Sequence, residues 1–187
     1  MRPILLAALA LLPGPALAAG PVECLVEAYA HGRGVEVRAA PSGESPVLLR
    51  LPDPIPVGDQ EVAVAFTVTG WVPGWFRIEE AGYTDEVMSV AGGRRVPLER
   101  AGWVREGAVR TTVAGLELRA EPREGAPVSA RLMGFQRMPG PVFVLHGPEG
   151  VALRGVIACR GAWAELDTEM GRGWTDTLCA RQRSACE

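Results

Sequence analysis

The stretch GVEVRAAPSGESPVLLRLP, Gly34–Pro52, returns 81 positions later as GLELRAEPREGAPVSARLM, Gly115–Met133. Gly34, Arg38, Ala39, Pro41, Pro46, Val47, Arg50 and Leu51 reappear as Gly115, Arg119, Ala120, Pro122, Pro127, Val128, Arg131 and Leu132. A repeat of this length exceeds a solenoid unit and falls short of a large domain, so it predicts two copies of one small fold. In each copy an alternating pair, Val35 with Val37 and Leu116 with Leu118, should occupy one face of a strand. The Pro, Gly and Ser that follow predict an irregular loop. Val47, Leu49 and Leu51 then restart a strand.

The same punctuation runs through the chain, with Gly 23 and Pro 16 in 187 residues and no sustained 3.6-residue apolar period. Short β-branched runs between turn residues predict an all-β protein with short turns or single-turn helices. Val62–Val68 reads as one alternating strand. Val142–Leu145 and Val151–Cys159 read as a hairpin around His146–Gly150.

The first residues have another purpose. Met1-Arg2, the apolar run Ile4–Leu12 and the small residues Ala16 and Ala18 predict a signal peptide over 1–18. Its apolar core is shorter than the roughly 20 residues that cross a bilayer. The chain is therefore expected to be exported, to the periplasm or beyond, with no membrane span after cleavage. Its formal charge of −3 lacks the basic surplus that nucleic acid would demand.

Further matches extend the repeat. Trp75-Phe76-Arg77-Ile78 corresponds to Trp163-Ala164-Glu165-Leu166, and a Gly-Trp pair follows each, Gly102-Trp103 and Gly173-Trp174. This order of strand, Pro-containing loop, strand, Trp strand and Gly-Trp resembles the bacterial SH3-like (SH3b) domain as a tandem pair. That family typically opens G-x-L-N-V-R-x-x-P-S and closes G-W-V. The likeness covers roughly Cys24 to Thr177. The family's Asn is replaced by Glu36 and Glu117, the first copy carries an insertion at about 79–101, and the second has a longer middle, Gly134–Gly155. The resemblance implies two small barrels packed together, at 19–108 and 109–187, and a cell-envelope partner: peptidoglycan peptide or another envelope protein. It implies no cofactor.

Cys24, Cys159, Cys179 and Cys186 are even in number, and none has the C-x-x-C spacing of a zinc site, so two disulfides are expected. A hairpin of Ala162–Leu166 with Gly173–Thr177 would set Cys159 opposite Cys179, favouring Cys159–Cys179 and, by remainder, Cys24–Cys186. The second bridge would tie the chain's ends together.

Catalytic constellations are sparse. A nucleophilic triad requires a His, and only His31 and His146 exist, both in turn sequence. Glu79-Glu80, Asp85-Glu86 and Asp167 with Glu169 fit solvated turns better than a desolvated acid–base pair. Neither GRGVEV nor AGGRR fits a phosphate loop. The five Trp are better candidates for recognition. Trp75, Trp103, Trp163 and Trp174 suit core packing, whereas Trp71 aligns with Cys159 and has no counterpart. Trp71, Tyr83, Trp103 and Trp174 are accordingly candidate ligand contacts. Arg38 and Arg119 are candidate carboxylate clamps, although their matched positions fit a loop-holding role better. The link Glu106–Arg110 is too short and apolar for a tether. The reading is a non-catalytic binding module, with a structural or assembly protein and, more remotely, a wall hydrolase as alternatives.

Overall fold

The computed structural model describes residues 20–84, 96–137, 143–146, 152–182 and 186, so the signal segment and the centre of the insertion lie outside the described residues. The first copy contains β1 (Val22–Ala30), β2 (Glu36–Arg38), β3 (Val47–Arg50), β4 (Ile55–Val57), β5 (Gln60–Val62), β6 (Ala65–Val72), β7 (Trp75–Gly82) and β8 (Gly102–Arg105). A 3-10 turn, Glu106–Ala108, leads into β9 (Val109–Arg110) and β10 (Thr112–Val113). The second copy contains β11 (Glu117–Arg119), β12 (Val128–Arg131), β13 (Gly134–Arg137), β14 (Phe143–His146), β15 (Leu153–Arg160), β16 (Trp163–Thr168), β17 (Gly171–Thr175) and β18 (Leu178–Cys179). The protein is all-β.

The duplication written in the sequence reappears as topology. Strand order in the first sheet is β3-β2-β8-β7-β6-β1-β9, and in the second β12-β11-β17-β16-β15. The five shared positions run in the same order, and β4–β5 and β13–β14 form a separate hairpin at the same point of each copy. Even the irregularity repeats: the β2–β3 register shifts between Val37 and Arg38, and the β11–β12 register between Leu118 and Arg119. Closure into two barrels is not seen, because no sheet pairs back on itself among the described residues.

The Gly of each Gly-Trp pair has a steric cause. A Cβ on Gly102 would collide with Val37 Cγ1 and lie 3.2 Å from the Arg38 carbonyl oxygen. A Cβ on Gly173 would collide with Ser129 Oγ and come within 2.8 Å of both the Arg119 carbonyl oxygen and Leu118 Cβ. The first strand of each repeat can therefore pack across the Gly-Trp strand only where that strand has no side chain.

The two copies share one core. Val37, Phe76, Ile78 and Val104 of the first and Leu118, Leu132, Val156 and Leu166 of the second belong to one buried cluster. Strand β1 makes the joint. Its register against β6 shifts between Glu23 and Val26, and a bulge of this kind re-aims the residues it contains. Here it frees Glu23–Leu25 to meet the other sheet: Leu25 N–H donates to Gly161 O at 2.7 Å and Gly161 N–H to Glu23 O at 2.9 Å. Cys24, between them, is bonded to Cys159. The buried Thr111 hydroxyl donates to Glu27 O at 2.9 Å, with Cys179 O at 3.1 Å beside it. The Gln182 amide makes a two-way pair with the backbone of Ala63, 2.9 Å in each direction. The Glu106–Arg110 link is not a tether, since β9 pairs with β1.

Three sequence readings are corrected. The disulfides are Cys24–Cys159 and Cys179–Cys186, not Cys159–Cys179 with Cys24–Cys186. The β16–β17 register is as expected, but the chain reverses at Gly161, so Cys159 lies on β15, paired with Ala164 on the far side of β16 from β17. Phe143–His146 pairs backwards with Gly134–Arg137 rather than forwards with Val151–Cys159, which instead supplies β15 against β16. Val62–Val68 is interrupted at Ala63-Val64, where two hairpins meet.

Two predictions follow from this packing. Gly173→Ala should destabilise more than Gly102→Ala, by about 1–3 kcal/mol in urea unfolding, because its clash includes a carbonyl that cannot rotate away; equal or negligible losses would refute the crossing argument. A non-reducing digest should yield one peptide pair joined through Cys24 and Cys159. Replacing both cysteines by Ala should cost about 2–5 kcal/mol, as removing a bridge across so long a loop does.

Candidate functional site

Each repeat loop is built around its arginine. Arg38 Nη1 donates to Gly43 O at 2.8 Å and Ser45 O at 2.7 Å, and Arg119 Nη1 donates to Ala126 O, the counterpart of Ser45 O, at 3.0 Å. Ala39 N–H reaches Pro46 O at 2.9 Å, and Ala120 N–H reaches Pro127 O at 2.8 Å. Glu36 pairs with Arg38 and, at 2.7 Å, with Arg50; Glu117 sits 3.6 Å from Arg119 and 3.2 Å from Arg131. Both arginines named as candidate clamps thus spend their guanidinium hydrogen bonds on their own loop. Glu36 and Glu117, at matching positions, each join two arginines.

Beside each loop lies a cleft, in the same place in both copies. The first, about 410 Å³, is lined by His31, Arg33, Val35, Glu36, Arg38 and Arg105. The second, about 230 Å³, is lined by Leu116, Glu117, Arg119, Trp163, Thr175 and Asp176. Their linings have diverged in charge. Arg105 faces Trp75 across β7–β8, with its guanidinium carbon 4.1 Å from the centre of the indole ring, a cation–π contact. The β16–β17 register, continued by one residue, places Asp176 opposite Trp163 in the same way. His31 and Arg33 have Thr112 and Ala114 as their counterparts.

The remaining candidates are dispersed. Trp71 is half-buried against the core and paired with Phe76, because the β6–β7 register shifts between Val68 and Gly70 and turns it inward. Its indole N–H has no acceptor among the described residues. Tyr83, 5 % exposed, lines a shallow recess of about 200 Å³ with Glu27, Phe66, Glu80 and the C-terminal Ala180. Trp71 and Tyr83 do not share a groove: they lie at opposite ends of β6–β7, about 20 Å apart at the usual rise of a strand. Trp103 is flanked by Arg38 and Arg77, and Trp174 by Arg119 and Glu165. None of the four indicated aromatics lines either repeat cleft.

Sequence reasoning passed over Arg105, Asp176 and the exposed Leu116. Extending the alignment of the Trp strands through the Gly-Trp pairs would have exposed the charge exchange at 105 and 176. All four thiols are bridged, which fits an oxidising compartment and export. No helix among the described residues is long and apolar enough to cross a membrane. No protein-family model, curated protein or solved structure matches the chain.

His31 is the titrating member of the first cleft. Partial burial, and secondarily the nearby Arg110 charge, hold its pKa below the usual histidine value. On acidification the unfolded chain therefore takes up this proton first, so the folded state loses stability as pH falls from about 6.5. Because the ring is largely exposed, the slope is small. Urea midpoints compared at neutral and mildly acidic pH should fall less in His31→Gln than in the unaltered chain; identical slopes would remove His31 from that account.

Proposed function

We propose that the chain is an exported, non-catalytic recognition module of the cell envelope, in which two SH3-like units packed as one body hold a polypeptide segment. The partner is either a peptidoglycan peptide or another envelope protein, and the compartment is the periplasm or the cell exterior. One observation carries this reading. The arginine-held loop recurs in each copy, through Arg38 to Ser45 O and Arg119 to Ala126 O, and it leaves a cleft at the same place each time, with different side chains around it. A scaffold held constant beneath a variable lining is what recognition requires, since binding residues sit on loops positioned by rigid elements. The non-catalytic part is supported by the chemistry present: all four thiols are bridged, Glu36 and Glu117 are ion-paired beside their clefts, and His31 sits among arginines.

The shared core and the Cys24–Cys159 bridge also support a structural or assembly role with no small ligand, because they fix the copies as one composite surface. Two binding measurements on the oxidised chain separate these readings. Saturable co-sedimentation with purified sacculi, or saturable binding to immobilised peptides from envelope proteins, is expected for recognition. Binding to neither, at low and at high salt, would leave only the structural role.

A further inference from the structure

The two clefts differ in one decisive respect: the first covers its own aromatic floor and the second does not. In the first, Arg105 lies on Trp75, which is 5 % exposed, and Val35 is 8 % exposed. Gly43 makes room for this cover, since a Cβ there would stand 3.0 Å from Arg105 Nη2. In the second, the position matching Gly43 is Glu124 and the position matching Arg105 is Asp176. Trp163 is only partly buried, and Leu116, the counterpart of Val35, is 47 % exposed. Asp176 is exposed and makes no ion pair or hydrogen bond among the described residues. The other carboxylate, Glu117, is already held by Arg119 and Arg131, and the Arg119 guanidinium is turned to its loop.

We infer that the second cleft is a binding site for an arginine side chain of a partner protein, whose guanidinium stacks on Trp163 and pairs with Asp176. The chain itself displays the stacking half of this arrangement in Arg105 on Trp75, a guanidinium supplied from within. An indole face attracts a cation most strongly among the aromatics. A planar guanidinium can at once stack on that face and pair with a carboxylate at its edge. Leu116 at the rim offers apolar contact to the stem of the incoming side chain. A carboxylate facing the cleft repels anions, so the charge exchange converts a self-capped position into one that selects cations. This inference rests on the recognition role proposed above and names the chemistry of its partner.

The test uses the oxidised, 15N-labelled chain, with its indole N–H signals assigned by Trp→Phe substitution. The probes are N-acetyl-arginine amide, its neutral isostere N-acetyl-citrulline amide, and N-acetyl-lysine amide. The Trp163 signal should shift saturably with the arginine probe in the millimolar range, and citrulline should bind at least about five-fold more weakly. Asp176→Asn, which removes the charge without adding bulk, should weaken the arginine response by a similar factor. Asp176→Arg should abolish it, since the new guanidinium would take the site; the reciprocal Arg105→Asp should make Trp75 responsive. A silent Trp163, or equal responses to arginine and citrulline, would overturn the assignment. Lysine binding as tightly as arginine would overturn the guanidinium assignment, because charge alone would then be read. Should Asp176→Arg leave sacculus or peptide binding intact, this site falls while the recognition role stands; should the unaltered chain bind neither, the recognition role falls by itself.

Discussion

Strand β1 is the constraint on which the arrangement depends. One edge of it must complete the first sheet against β6, while its bulge at Glu23–Val26 delivers Cys24 to the second sheet at Gly161. The two edges of the strand serve the two partners, and the bulge sets which of its residues reach Gly161. The covalent bond formed there is not the principal adhesive. Each fully buried Val, Leu, Ile or Phe contributes about 1.5–3 kcal/mol, so a few such residues in the shared cluster match the bridge. What the bridge and the Gly161 hydrogen bonds add is direction: they fix which faces of the two copies meet. The two clefts consequently stand in a constant relation, and a partner that reaches both pays no cost for ordering them.

Duplication separates what the scaffold requires from what it tolerates. The bulge after Val37 and Leu118, the arginine that gathers its loop, the Glu that anchors it and the Gly beneath the crossing strand are present twice. Each lies where a change would bury an unpaired group or force a clash, losses of one to several kcal/mol in general terms (about 1–3 for an orphaned polar group). Arg105 and Asp176 differ in charge and each lines its own cleft, and His31 and Arg33 line the first cleft whereas their counterparts Thr112 and Ala114 do not line the second. The divergence sits where stability has least to say.

The sequence made the repeat, its loops and its all-β character legible because these are local or periodic: identical residues at a fixed offset, Pro and Gly at fixed places, alternation along Val35–Val37. It also yielded the β16–β17 register. Non-local features were not legible. The Cys pairing failed because a correct hairpin was extended past Gly161, where the chain turns to the opposite side of β16. Trp71 is a ligand candidate by sequence because it lacks a counterpart in the second copy, a criterion blind to the β6–β7 irregularity that pairs it with Phe76 and sets it half-buried against the core. Alternation places Leu116 on one strand face with Leu118, yet it precedes the short strand Glu117–Arg119 and is exposed while Leu118 is buried. The candidate site eluded residue-by-residue reading since neither Asp176 nor Trp163 is unusual alone. Only the comparison with Arg105 and Trp75 makes them a pair.

Magnitudes decide whether that comparison reflects function or drift in stability. An exposed cation–π contact is worth about 0.5–1 kcal/mol, a small fraction of a domain's roughly 5–15 kcal/mol. Losing the Arg105-type cap in the second copy is therefore affordable for folding, but it leaves an uncovered indole, an exposed Leu116 and an unpaired carboxylate converging on one cleft. Apolar surface left by neutral drift would be expected beside arbitrary polar groups. Here the polar group has the charge opposite to that of its counterpart Arg105, at the position that faces the ring from the β17 side, with Arg160 opposite the same tryptophan on β15. Opposite charges at matching scaffold positions give the two clefts opposite electrostatic preferences rather than merely removing a contact, and the cleft without the guanidinium cap is complementary in charge to the group that caps the other.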